Sequence, residues 1–150
     1  MQRTNILRDV GEDVSSGRFY LPINTLAEFG LSRDDLHELW LAGDGPDYRM
    51  RRLMRHEIAC ARDLYQRGVA GVWLLPPDSR LPILIATRLY RRILAVIERN
   101  GYDTLRRRAS TSGREKLEEA GIALLVDRLW RRGEHGSRPV PRSAPSLRET

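Results

Sequence analysis

The chain has almost no lysine. Lys116 stands alone among 26 basic residues set against 20 acidic ones, so arginine carries nearly all of the formal +6 charge. Arginine suits a bidentate grip on phosphate oxygens, and an arginine-rich composition equally accompanies a GC-rich genome. Cysteine is as scarce. Cys60 is the only one, which excludes an internal disulfide and a thiolate metal site and makes a reducing cytoplasm the expected compartment. His37, His56 and His135 are spaced too widely for a local zinc cluster. The longest apolar runs, near 69–75 and 81–86, fall well short of the ~20 residues that span a bilayer. Gly43, Gly45, Gly68 and Gly71 lack the strand–turn–helix setting of a phosphate loop. No internal repeat and no strand pair is evident.

What is present reads as helix. The 150 residues fit one domain. Residues 1–14 form a helix with Ile6, Leu7 and Val10 on its apolar side, ended by Ser15, Ser16 and Gly17, with an extended exit into Pro22. A short turn over 25–29 closes at Gly30. Ser32 caps a segment over 33–41, with Asp35 three residues on in a variant of the capping box. Pro46 suits the first position of the next helix, which keeps a 3.6 period over 48–67 until Gly68 stops it. Residues 69–75, ended by Pro76 and Pro77, read as a buried short helix. Asp78 or Ser79 starts the most apolar helix, over 81–99, ended by Asn100 and Gly101. A last helix spans 113–132 through Leu117, Leu124, Leu129 and Trp130. The expected organisation is an all-α domain of five or six helices over 1–132 and a disordered tail over 133–150.

The chemistry concentrates at the start. On a helix, Asn5, Asp9 and Asp13 drift by only about 40° per step down one side, with Gln2 close by. Two carboxylates one turn apart, preceded by amides, are the oxygen ligands that a hard divalent cation uses when it carries a diphosphate. Arg3, Arg8 and Arg18 place donors for phosphate oxygens next to them. Paired acids at this spacing are also common on a solvated helix face, so the pair alone decides little. The Arg49–Arg55 run reads first as a solvated face, second as a contact for lipid headgroups and last as a nucleic-acid surface. Trp40, Trp73 and Trp130 read as packing residues.

Gln2-x-x-Asn5-x-x-x-Asp9-x-x-x-Asp13, followed by Gly17-Arg18-x-Tyr20-Leu21-Pro22, resembles the second aspartate-rich motif of the squalene and phytoene synthases. These are head-to-head prenyltransferases, and the stretch over 5–13 most resembles the bacterial phytoene synthase branch. The resemblance continues through Leu74-Leu75-Pro76, the helix around Tyr90, Gly101-Tyr102-Asp103 and Arg106-Arg107-Arg108-Ala109, so it covers residues 2–117. It implies the isoprenoid synthase (terpenoid synthase) helical bundle, incomplete at the N-terminal side, because no second Asp-x-x-x-Asp on a helix occurs to face this one. It also implies that Asp9 and Asp13 hold Mg²⁺ (or Mn²⁺) bridging to a substrate diphosphate. Gln2 and Asn5 would line the same wall, and Arg8, Arg18, Arg108 and Tyr90 would face the substrate.

The implied reaction condenses two geranylgeranyl diphosphates through a cyclopropyl intermediate to phytoene, without a nicotinamide reductant. A squalene synthase-like reaction on farnesyl diphosphate, with NADPH, is the alternative within enzymes. A non-catalytic helical module, or one that pairs with a separately encoded N-terminal half, is the alternative outside them. The expected location is cytoplasmic, with peripheral contact at the inner face of the membrane.

Overall fold

Residues 1–136 are described by a computed structural model, and they fold as seven helices with no strand among them. In chain order these are α1 (Gln2–Arg8), α2 (Val10–Ser15), α3 (Ile23–Glu28), α4 (Arg33–Ala42), α5 (Tyr48–Val72), α6 (Pro77–Arg99) and α7 (Gly113–Gly136). Helix α6 is the hub, packed against α1, α5 and α7. The main core gathers Leu7 and Val10 near the start, Leu53, Met54 and Ile58 from α5, and Leu94 and Ile97 from α6, all buried. A smaller cluster joins Val72, Leu84 and Ala123, beside a stack of Trp73 on Trp130 with ring centroids 4.1 Å apart.

Two helix starts follow from local chemistry. Ser32 and Asp35 form the expected capping box: the Asp35 amide donates to Ser32 Oγ at 3.0 Å, and the Ser32 amide donates to the Asp35 carboxylate at 2.9 Å. At α5 the cap is Asp47, whose carboxylate accepts from the Met50 amide at 2.8 Å. Pro46 therefore lies just outside the helix rather than at its first position.

Other boundaries depart from the sequence reading. Gly68 does not stop α5, which runs on to Val72. A lone helical glycine costs only about 1 kcal/mol relative to alanine, and beyond it Val72 is buried against α6 and α7 residues of the smaller cluster. The expected buried short helix over 69–75 does not exist: its first residues complete α5, and Leu74 is 89% exposed. Helix α6 begins at Pro77, a first-turn position where the missing amide hydrogen costs nothing. Helix α7 passes the expected end at 132 and continues to Gly136, and residues 137–150, the rest of the expected tail, lie outside the described residues. Over residues 113–133, Leu117, Leu125 and Leu129 are exposed, and Ala123 and Asp127 are the buried residues. Among the described residues no helix is long and apolar enough to cross a membrane.

The first helix is not continuous. Asp9 has φ −103° and ψ 14° and separates α1 from α2. The Asp9 amide still donates to the Asn5 carbonyl at 2.9 Å and the Asp13 amide to the Asp9 carbonyl at 2.8 Å. The Gly11 amide, however, turns outward and donates to the Thr104 carbonyl at 3.0 Å. A foreign carbonyl inserted into a helical ladder is a sufficient cause of such a break.

Candidate functional site

The break places Asp9 at the junction of two short helices and a returning loop. Arg8 grips the Asp9 carboxylate with two parallel bonds, Nε to Oδ1 and Nη2 to Oδ2, each 2.8 Å. Arg108, 99 residues away in sequence, donates its Nε to the same Oδ1 at 2.8 Å and reaches Glu12 at 3.4 Å. The Arg8 hydrogen bond, with Arg108 adding to it against the cost of burial, lowers the Asp9 pKa to about 2. In return, the bonds to Asp9 raise both arginines above their ordinary value. Asp9 is therefore a carboxylate throughout the physiological range.

One turn on, the Asp13 carboxylate lies 3.4 Å from Arg18 Nε. Asn5 completes the strip in an unusual way: its side-chain carbonyl oxygen is buried and has no hydrogen-bond partner. Such an orphan acceptor costs free energy unless something donates to it or coordinates it. Gln2 sits exposed at the first residue of α1, without a bond to the strip.

Tyr90, on α6, joins from the other side. It is half-buried and shares with Arg8 and Arg108 an open recess of about 280 Å³. Lys116, Ser110 and Thr111 line the same recess. The sequence reading missed these three, and the only signal for Lys116 was its solitude in an arginine-rich chain. Three cations, a phenol and two hydroxyls around one recess bring N–H and O–H donors together, the chemistry that an anion would use.

Sequence reading also missed what holds the site in place. Buried Thr4 shares a 2.8 Å hydrogen bond with Tyr65 of α5, and burial, the larger influence, pushes the Tyr65 phenol up. Arg3 pairs at 3.0 Å with Glu57, which is only 3% exposed. Together these two ties hold α1 to α5. The third support is Gly11. A Cβ there would sit 2.1 Å from the Leu105 carbonyl oxygen, so only glycine lets the 104–108 loop approach and deliver Arg108.

The donor set of the strip is all oxygen: two carboxylates and an unpartnered amide carbonyl. Among the described residues no three His, Cys, Asp or Glu side chains converge into a self-contained cage. Carboxylate and carbonyl oxygens are the donor type that Mg²⁺ takes, with water and substrate phosphate oxygens completing its shell.

Residues 1–115 match the sequence pattern of the squalene/phytoene synthase family. The chain belongs to that family. It is 49% identical over 128 residues to a phytoene synthase of Arthrospira platensis, a match that covers 85% of this chain and 40% of the relative. It is 42% identical over 124 residues to a 15-cis-phytoene synthase of Synechococcus elongatus, covering 83% of this chain and 39% of the relative. The chain thus spans about two fifths of the length of these synthases. A crystal structure of a dehydrosqualene synthase in complex with ligand superposes with a TM-score of 0.73 at 26% identity, over 85% of this chain and 44% of that one. The seven helices accordingly match the all-α isoprenoid synthase bundle of the family.

Proposed function

We propose that this chain carries one wall of a prenyl-diphosphate condensing centre, of the type that joins two geranylgeranyl diphosphates head to head to give phytoene. The observation that carries the reading is the shared position of Arg8 and Arg108, which bind Asp9 on one side and line the basic recess with Tyr90 on the other. An acidic strip for a cation and a basic recess for phosphate oxygens meet at the same two guanidinium groups. Identities of 42% and 49% to phytoene synthases support the geranylgeranyl substrate over farnesyl diphosphate, and with it a reaction that needs no nicotinamide reductant.

Asp9 and Asp13 would hold Mg²⁺ (or Mn²⁺), with the Asn5 carbonyl oxygen available as a further donor. The bound ion supplies neutralisation of the diphosphate leaving group. Arg8, Arg108 and Lys116 would bind diphosphate oxygens, and Arg18 would orient Asp13. Tyr90 would direct its hydroxyl at the same oxygens. Leu89 and Ile93, which flank Tyr90 in the recess wall, would exclude water from the adjoining prenyl chain. Gln2 enters the reading only as a residue at the rim of the strip.

Two measurements test it. Asp9→Asn and Asp13→Asn should each weaken Mg²⁺-dependent binding of a diphosphate analogue by roughly tenfold or more, in line with loss of a charge-assisted contact. Product chromatography with geranylgeranyl or farnesyl diphosphate and Mg²⁺, with and without a supplied N-terminal segment of a family member, reads out the substrate. Unchanged analogue binding in both variants overturns the assignment of the strip.

A further inference from the structure

Arg108 occupies a position that a bound cation would contest. The Asp9 carboxylate offers about four lone-pair sites, of which Arg8 takes two and Arg108 a third. Arg108 also lies 3.4 Å from Glu12, so one guanidinium spans Asp9 and an acid beside the strip. The two arginines are not equivalent. Arg8 is the neighbour of Asp9 in sequence, binds it through both oxygens and has its side chain 21% exposed. Arg108 makes one short bond to Asp9 from a side chain that is 59% exposed.

The backbone around Arg108 does not share this freedom. Thr104, Leu105 and Ala109 are buried, and the Thr104 carbonyl is bound by the Gly11 amide. Arg106, Arg107 and Arg108 form a short exposed arc between those anchors. Arg108 thus both bonds Asp9 and lines the recess of Arg8, Tyr90 and Lys116, from a backbone anchored on either side.

We propose that Arg108 is the resident counter-cation of the acidic strip, displaced from Asp9 and Glu12 when a divalent cation binds and turned toward the phosphate groups that the cation brings. The proposal rests on the reading of Asp9 and Asp13 as cation ligands. Its physical content is an exchange of charge. Without metal, Arg108 offsets the repulsion between Asp9 and Glu12; with metal and no phosphate, its guanidinium opposes the incoming ion at close range. With both, the guanidinium moves from a site of surplus positive charge to one of negative charge. Metal and diphosphate then bind with positive coupling, each making the other's site more favourable.

The experiment is calorimetric titration of the 150-residue chain and its Arg108→Gln and Arg108→Lys variants, first with Mg²⁺ alone and then with inorganic diphosphate in saturating Mg²⁺. Arg108→Gln should bind Mg²⁺ alone about two- to fivefold more tightly, the range expected from removing an exposed ionic contact. The same variant should bind diphosphate roughly tenfold more weakly. Arg108→Lys keeps the charge and loses the fork, so its Mg²⁺ affinity should stay near the parent value. The Arg108 Nε–H resonance, assigned by its loss in Arg108→Gln, should shift when Mg²⁺ is added to the parent chain. Parent binding of Mg²⁺ with unchanged or weaker affinity in Arg108→Gln overturns the exchange while leaving the strip assignment standing. Absence of Mg²⁺ binding by the parent chain overturns both.

Discussion

The Gly11 amide and the Thr104 carbonyl, 93 positions apart, are joined by a 3.0 Å hydrogen bond that interrupts the first helix beside Asp9. One bond thus sets two features of the site: the junction that carries Asp9, and the start of the arc that carries Arg108. Gly11→Ala should break both. Its Cβ would meet backbone at 2.1 Å, with no flexible side chain to give way. Overpacking of this kind costs about 1–3 kcal/mol, so thermal melting should show a lower Tm, and Mg²⁺-dependent diphosphate binding should fall with it. A variant with parent-like Tm and affinity would contradict the role of this approach.

The tie between Thr4 and Tyr65 should matter as a pair. Tyr65→Phe leaves the buried Thr4 hydroxyl without its 2.8 Å partner, a loss of about 1–3 kcal/mol. Thr4→Val removes the other end. Because each single change already breaks the bond, the double variant should cost clearly less than the sum of the two, as chemical denaturation would show. Strict additivity would mean that the bond does not hold α1 to α5.

Acid should loosen the site from Asp9. Its folded pKa, about 2, lies below the ordinary carboxylate value near 4. A depressed folded pKa contributes stability that is present above the unfolded pKa and lost as pH falls through the folded one. That contribution should fade between about pH 5 and pH 2, and Asp9→Asn should flatten the acid limb of a stability profile across that window. An unchanged acid limb in the variant would assign the acid sensitivity to other carboxylates.

The isolated chain should self-associate and yield no product. Leu117, Leu125, Leu129 and Trp130 of α7 are exposed, and so is Leu74, which is much exposed apolar side chain for a small domain. Sedimentation and binding of a hydrophobic dye should both report it, and a monomer with little dye binding would contradict it. Catalysis demands two prenyl chains held in one dry cavity, where misplacement by ~1 Å can cost about a hundredfold in rate. Phytoene or squalene made by these 150 residues alone, detected by product chromatography, would show that the described helices suffice.

The sequence by itself determined the periodic elements and the acidic strip. The capping box at Ser32 and Asp35, the long 3.6-period runs of α5 and α6, and the Asn5, Asp9 and Asp13 spacing all depend on residues within a few positions of one another. Local hydrogen bonds and side-chain spacing are written in that short range. Tertiary structure decided the rest. The break at Asp9 needs a carbonyl from residue 104, which no local pattern announces. Gly68 read as a stop because a local scale assigns it a penalty, and burial of Val72 further along outweighed that penalty. The apolar residues of α7 marked a helix, because periodicity records which residues share a face, and only packing decides whether that face finds a partner. The family resemblance singled out Arg108 from its run of three arginines, but no local pattern announced its bond to Asp9. Arg108 alone reaches Asp9, because Leu105 and Ala109 are buried on either side of the arc and Gly11 has no side chain to hold the loop away.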